Sequence, residues 1–267
     1  LMLPTPSTSH VSFDNVYEPA EDSFLLLNTL SSEKEKAFLR QRFRLDASSE
    51  KQSPSPLILE VGTGSGVVLA FVNAHANTLF GRSDLLTLGT DINSLACKAA
   101  AKTVEKAQRD IRSQPEKLLQ PGIFLDVCNA NLTTPLRLGS VDVLIFNPPY
   151  VPTEELPDLK QHALYNNSDT VEHTTTFERD SHLLALSYAG GADGMEVTDR
   201  LLEHLPNTLS PQRGVAYILL CAQNKPETVK QRIRAWPGGW QAETVGHSGK
   251  QGGWEKLQII RIWRAAR

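Results

Sequence analysis

Short apolar runs separated by polar, glycine-bearing turns divide the chain into alternating strands and helices. Leu57-Ile-Leu-Glu-Val61, Leu85-Leu-Thr-Leu-Gly-Thr90, Ile123-Phe-Leu-Asp126, Val141-Asp-Val-Leu-Ile-Phe146 and Gly214–Cys221 read as strands. Their near-continuous apolar character is that of strands covered on both faces, as in a parallel sheet. Helices are predicted over Val67 to about Ala76, Ser94 to about Arg112, and Pro226–Trp236, where apolar positions recur at helical spacing. Pro19–Leu30 is predicted as an earlier helix, with Pro in its first turn and Glu21 and Asp22 at the positive end of its dipole. Phe24, Leu25, Leu26, Leu27 and Leu30 supply its buried side. Glu243–His247 and Lys256–Trp263 are expected to close the fold as an antiparallel hairpin.

Two stretches break the alternation. A charged, helical stretch after Leu30 completes an N-terminal helical segment, 17–45, and is followed by a Ser/Pro-rich run to Pro56, expected to be a flexible connector over about 46–56. The polar residues from about 154 to 180 exceed an ordinary connection, and such loops are substrate-facing or disordered. The whole, 1–267, is expected to be one α/β domain with a doubly wound sheet, whose ligands bind beyond the carboxyl ends of the strands.

Composition narrows the function classes. A formal charge of −3 argues against gripping nucleic acid by phosphate neutralisation alone. Cys97, Cys128 and Cys221 form no C-x-x-C pair and the histidines no H-E-x-x-H, so neither a disulfide framework nor a metal site is expected. No apolar run reaches the roughly 18 residues of a membrane span. The first residues lack the basic-then-apolar pattern of a secretory signal. A cytoplasmic location, with the nucleus as a further possibility, is the expectation.

Two motifs carry the chemistry. Glu60-Val-Gly62-Thr-Gly64-Ser-Gly66 joins the first strand to its helix, where glycines let the backbone turn sharply and approach a ligand. Its spacing, G-x-G-x-G, departs from the G-x-G-x-x-G of dinucleotide sites. Asp91, after the second strand, is placed to take two ribose hydroxyls. That acid serves nicotinamide and S-adenosylmethionine enzymes alike, while Glu60 favours the second class by lying near a cationic amino-acid moiety. Asn147-Pro148-Pro149-Tyr150 follows the fourth strand. The Asn147 side-chain oxygen and the Pro148 carbonyl can accept both N–H bonds of one planar NH2 group, and Tyr150 can cover its flat face. The chemistry is attack by an amide or exocyclic amino nitrogen on an electrophile next door. Either motif alone could be a packing turn, but both lie at carboxyl ends of strands in one sheet.

Four blocks then resemble the HemK-type protein glutamine methyltransferases, and more narrowly the eukaryotic branch that modifies the translation release factor. They are Tyr17-Glu-Pro-Ala-Glu-Asp-Ser-Phe-Leu-Leu-Leu27, Leu59–Val68, Thr90-Asp-Ile-Asn93 and Phe146-Asn-Pro-Pro-Tyr-Val-Pro152. The resemblance implies a seven-strand, Rossmann-like class I methyltransferase sheet, order 3-2-1-4-5-7-6, with the last strand antiparallel. It implies S-adenosylmethionine as cofactor, contacted by Ser23, Glu60, Gly62, Gly64, Asp91 and Asn147. The family places an Asp-Leu pair at the adenine; here the nearest match is Asn131-Leu132, with Asp126 and Cys128 close by. Asn147, Pro148 and Tyr150 become the catalytic residues, positioning a glutamine amide of a Gly-Gly-Gln loop so that no strong base is needed.

The rival readings are methylation of adenine N6 in DNA or RNA, methylation of a lysine such as one on a histone tail, and a non-catalytic scaffold. The resemblance also implies a heterodimer with a small zinc-binding activator subunit. Ile123–Asp126, the expected sheet edge, is where it would add, with Phe124 or Leu125 facing it, unless a loop of the chain covers that edge.

Overall fold

The computed structural model describes residues 3–45, 53–113, 120–159, 162, 165, 176–249 and 256–265. Its seven strands are β1 (Leu57–Val61), β2 (Leu86–Asp91), β3 (Ile123–Asn129), β4 (Val143–Phe146), β5 (Val215–Leu220), β6 (Trp240–His247) and β7 (Gln258–Arg264). They form one sheet in the order β3-β2-β1-β4-β5-β7-β6. The first five run parallel and β7 is antiparallel to both its neighbours, as expected for a class I methyltransferase sheet. β4 and β5 are buried along their whole length, which explains their continuous apolar runs.

Helices cover both faces. α1 (Glu21–Leu30), α2 (Glu33–Arg42), α3 (Val67–Ala74) and α4 (Ala76–Phe80) pack on one side, with Leu26, Leu30, Leu39, Phe71 and Leu79 in a shared core. α5 (Ser94–Arg112) lies against α3 and β3. A buried ion pair ties α2 to the far half of the sheet. Glu35 on α2 is fully buried, receives Arg261 of β7 at 2.8 Å, and accepts from the Tyr217 hydroxyl of β5 at 2.8 Å. Removing one partner of such a pair costs about 3–5 kcal/mol, because the other is left buried and uncompensated. This anchor fixes the helical hairpin whose first helix carries Asp22 and Ser23 to the cleft.

Several elements differ from the expectation. β3 continues to Asn129 and β6 starts at Trp240 rather than Glu243. Two further helices, α6 (Thr176–Tyr188) and α7 (Glu196–Thr208), lie between β4 and β5. α7 forms although Pro206 lies within it, because Leu201, Leu202 and Leu205 pack beneath β4 and β5. α8 (Pro226–Arg234) follows β5. Of the proposed connector, 46–52 fall outside the described residues. Its end is held in place: Arg82 donates to the Ser53 carbonyl and Arg213 to that of Pro54. Of the polar stretch 154–180, residues 160–161, 163–164 and 166–175 also fall outside the described residues. At the sheet edge, Ile123 and Leu125 are half exposed, whereas Phe124 packs inward with Val127 against α3 and α5. Of the two residues expected to face a partner, only Leu125 points outward.

Candidate active site

The carboxyl ends of β1, β2 and β4 open into one cleft of about 1180 Å³, part of it continuous with solvent. Ser23, Glu60, Gly62, Gly64, Asp91, Asn131, Leu132 and Asn147 all line it, so the sequence-predicted cofactor residues converge although they span 125 positions of the chain. Asp126 and Cys128, the alternatives to Asn131, are not among the lining residues.

The glycine turn is shaped by backbone geometry. Gly62 has φ +66° and its N–H donates to the Thr90 carbonyl at 2.8 Å, tying the ends of β1 and β2. Gly66 caps α3 at φ +78°, and a Cβ there would lie 2.4 Å from Ala100 Cα, so α5 packs directly on the turn. Asp91 braces the same turn: its Oδ2 accepts from the Gly64 N–H at 2.9 Å and its Oδ1 from the Asn93 N–H at 2.8 Å. The Ile92 N–H and the Thr63 hydroxyl also act on this carboxylate, favouring its ionised form against burial.

Glu60 accepts from the Leu69 N–H at 2.8 Å and has no cationic partner among the described residues. Burial pushes its carboxyl well above the ordinary range; the Leu69 bond opposes this and the Asp91 charge adds to it. Burial raises Asp91 as well, against the backbone bonds from Asn93 and Gly64. Two buried carboxyls side by side, each harder to ionise than normal, form a well of negative potential that a cation would satisfy. Cys97 lies behind Asp91, its thiol pushed by burial up to about 12, and is no nucleophile.

The other end is organised by Asp22, a residue that sequence reasoning treated only as a complement to a helix dipole. It is buried, and its Oδ2 accepts from the Tyr17 hydroxyl at 2.9 Å, Asn147 Nδ2 at 3.1 Å and, more weakly, the Tyr150 hydroxyl at 3.5 Å. Its Oδ1 accepts from the Ser23 N–H and hydroxyl. A carboxylate is acceptor-only, so Asn147 must turn its NH2 towards Asp22 and its carbonyl oxygen away. That oxygen is buried with no hydrogen-bond partner among the described residues. Further along the turn the carbonyls are taken: Asn224 donates to Tyr150 O and the Gly190 N–H to Val151 O. Pro148 O receives no hydrogen bond among the described residues, but Pro148, unlike Asn147 and Pro149, is not a lining residue of the cleft. Tyr150 is not a lining residue; its ring packs against the core and its hydroxyl points to Asp22, so it braces the turn rather than covering the cleft.

Leu156, Pro157 and Leu159, with Leu183 and Leu186 of α6, form an apolar wall that the sequence did not announce. Arg200 of α7 also reaches the cleft. Among the described residues no group of three His, Cys, Asp or Glu side chains is placed to hold a metal, and no helix is long and apolar enough to cross a membrane.

No protein-family model matches the chain. Curated proteins do. It is 33% identical, over 98% of its length and 96% of theirs, to the eRF1 methyltransferase catalytic subunit mtq2 of Schizosaccharomyces pombe. It is 33% identical to Methyltransferase HEMK2 of Mus musculus, over 97% of this chain and 96% of that one. For the Homo sapiens protein of the same name the identity is 31%, over 98% and 97%.

Proposed function

The chain belongs to the eukaryotic HemK-type protein glutamine methyltransferases, and on that premise we propose that it methylates the side-chain amide nitrogen of a glutamine in the Gly-Gly-Gln loop of a translation release factor, as the catalytic subunit of a heterodimer. The observation that carries this reading is the Asn147 amide, fixed by Asp22 with its oxygen buried and without a partner among the described residues.

The cofactor is S-adenosylmethionine, and the residues present fit it. Gly62 and Gly64 let the backbone of the turn come close to the ligand, Asp91 lines the cleft where ribose hydroxyls would reach it, and the Glu60–Asp91 pair offers negative potential to a ligand carrying an ammonium and a sulfonium. When bound, it supplies an electrophilic methyl group. Everything else in the mechanism falls to the chain. Asn147 Oδ1 and the Pro148 carbonyl accept the two N–H bonds of the glutamine NH2 and hold its nitrogen in one orientation, a positioning effect. The same acceptors favour positive charge growing on that nitrogen, so no base need remove a proton beforehand. Asp22 acts one step back. By binding Asn147 Nδ2 it prevents the amide from presenting a donor where an acceptor is required.

A small zinc-binding partner subunit is proposed at the β3 edge, where Ile123 and Leu125 are half exposed on a strand with only one neighbour, β2, among the described residues. The test is label transfer from S-adenosylmethionine by the co-expressed pair. Three substrates are offered separately: release factor, its loop Gln→Ala variant, and adenine-containing oligonucleotides. Label on the unmodified release factor alone is expected. Label on the Gln→Ala variant or on oligonucleotides would overturn the glutamine assignment.

A further inference from the structure

The turn that carries Asn147 contains two prolines, Pro148 and Pro149, and neither has an N–H with which to anchor it. Two further turns close on it from behind. One, residues 190–194, lies between α6 and α7; the other, Ala222–Asn224, is a single 3-10 turn after β5. A Cβ on Gly190 would overlap the Pro149 carbonyl oxygen, and one on Gly194 that of Tyr150, so backbone meets backbone with no side chain between.

Asn224 joins the three turns. It is 2% exposed, and its Oδ1 accepts from the Cys221 N–H at 2.7 Å, which fixes the way the amide points. Nδ2 then donates to Asp193 O at 2.9 Å, to Tyr150 O at 3.1 Å and, more loosely, to Gly194 O at 3.3 Å. One side chain thus ties the end of β5 to both other turns. The junction is also strained. Asp193 and Lys225 both hold φ +53°, a left-handed conformation costly for residues with a Cβ, and their side chains pair at 2.8 Å across it. Strain of this kind persists only where the surroundings impose it, and it collects beside functional sites.

We infer that Asn224 is a positioning residue for methyl transfer: through the Tyr150 carbonyl it sets where the Asn147 turn sits in the cleft. Asn147 and Pro149 line the cleft and Asn224 does not, so its effect passes through the turn. Asp22 fixes which way the Asn147 amide faces, whereas Asn224 fixes where the backbone that carries it lies. This rests on the reading of Asn147 as the acceptor for the substrate NH2.

The test uses the co-expressed pair with release factor and labelled S-adenosylmethionine, at saturating concentrations and well below the melting point of each variant. A support displaced by about 1 Å slows a positioned reaction by about 10²-fold, and Asn224→Ala is expected to lower kcat on that scale. Calorimetry with S-adenosylhomocysteine should show affinity within about twofold of the unmodified value and the same stoichiometry, which separates misplacement from loss of folded protein. Asn224→Asp divides the amide into its two halves. Ionised, its carboxylate still accepts from the Cys221 N–H but turns an acceptor towards three carbonyl oxygens; protonated, it regains an O–H donor. Its kcat, taken as a ratio to that of the unmodified protein at each pH, should therefore rise as pH falls, which a loosened fold would not give. The charged neighbours, Asp193 and Lys225, are present in both proteins and cancel in the ratio. Lys225→Ala removes that exposed pair and no bond to the Asn147 turn, so its kcat should stay within about twofold. An unchanged kcat in Asn224→Ala, a stoichiometry that falls in step with it, an equal loss in Lys225→Ala, or a flat ratio for Asn224→Asp would overturn the inference. If Asn224→Ala does not fold, the Asn224→Asp profile decides alone. Absence of transfer by the unmodified pair would instead overturn the substrate reading, and this inference with it.

Discussion

The two ends of the cleft use buried carboxylates in opposite ways. Asp22 is saturated, accepting from Tyr17, Ser23, Asn147 and Tyr150. Glu60 and Asp91 accept mainly backbone N–H groups and are left with raised proton affinity. A saturated carboxylate has nothing left to give a ligand and serves to orient its neighbours. An undersaturated pair is an incomplete site that a cationic ligand completes. The catalytic and cofactor-binding duties should therefore separate cleanly under mutation.

The largest effect is expected from Asn147→Ala, which removes the proposed acceptor itself. Methyl transfer should fall by about 10³-fold, the scale of deleting a preorganised transition-state contact. S-Adenosylhomocysteine affinity, measured by calorimetry, should change by no more than about twofold. Comparable loss of both would break the division between the two ends.

Next come the carboxylates. Asp22→Asn lets the 147 amide rotate, because an amide can accept as well as donate. Transfer should drop by about 10²-fold at saturating cofactor, with affinity nearly unchanged. Asp91→Ala should do the reverse, weakening S-adenosylhomocysteine by about 2–3 kcal/mol while the turnover rate at saturation falls only severalfold. A kcat-against-Kd comparison of these two variants is the sharpest reading of the contrast.

A smaller effect follows from pH. With its carboxyl raised in the folded protein, Glu60 binds a proton more readily there than in the unfolded chain. Its contribution to ligand-free stability is thus full at low pH and is lost as pH rises through the folded value. Binding of a cationic ligand has the opposite sign, because it needs the ionised form. Affinity should weaken as pH falls below the raised value of Glu60, by up to about tenfold per pH unit, and Glu60→Gln should flatten that slope. A profile that stays steep in the variant would move the effect to Asp91.

The same contrast describes how much could be read from sequence. The cofactor end is local: Glu60, Gly62 and Gly64 sit on one strand-to-helix turn, and the apolar runs of β1, β2 and β4 are continuous because both faces are covered. Asn147 was legible because its turn is short and chemically distinctive. Asp22 was not, since its defining partner lies 125 residues away and a helix N-terminus already explains an acid there. α7 carries a usable signal, Val197, Leu201 and Leu205 at helical spacing, while Pro206 disfavours its last turn and burial under β4 and β5 overrides that cost. Arg200 is invisible without that helix.

The smallest effect at the cleft, and the last test of the contrast, concerns the β3 edge. Ile123 and Leu125 lie in the first half of the strand, whereas the residues lining the cleft start only at Ala130, five positions and about 17 Å beyond Leu125. Their side chains are half exposed, so replacing both with lysine, whose stem can keep part of the contact, removes little packing and places charges where an added strand would lie. S-Adenosylhomocysteine affinity of the Ile123→Lys, Leu125→Lys chain should stay within about twofold of the unmodified value. Copurification with the proposed zinc-binding subunit should disappear. Retained copurification would place that subunit elsewhere. A drop in cofactor affinity would instead mean that the edge communicates with the cleft through β3, tying the partner's surface to cofactor binding.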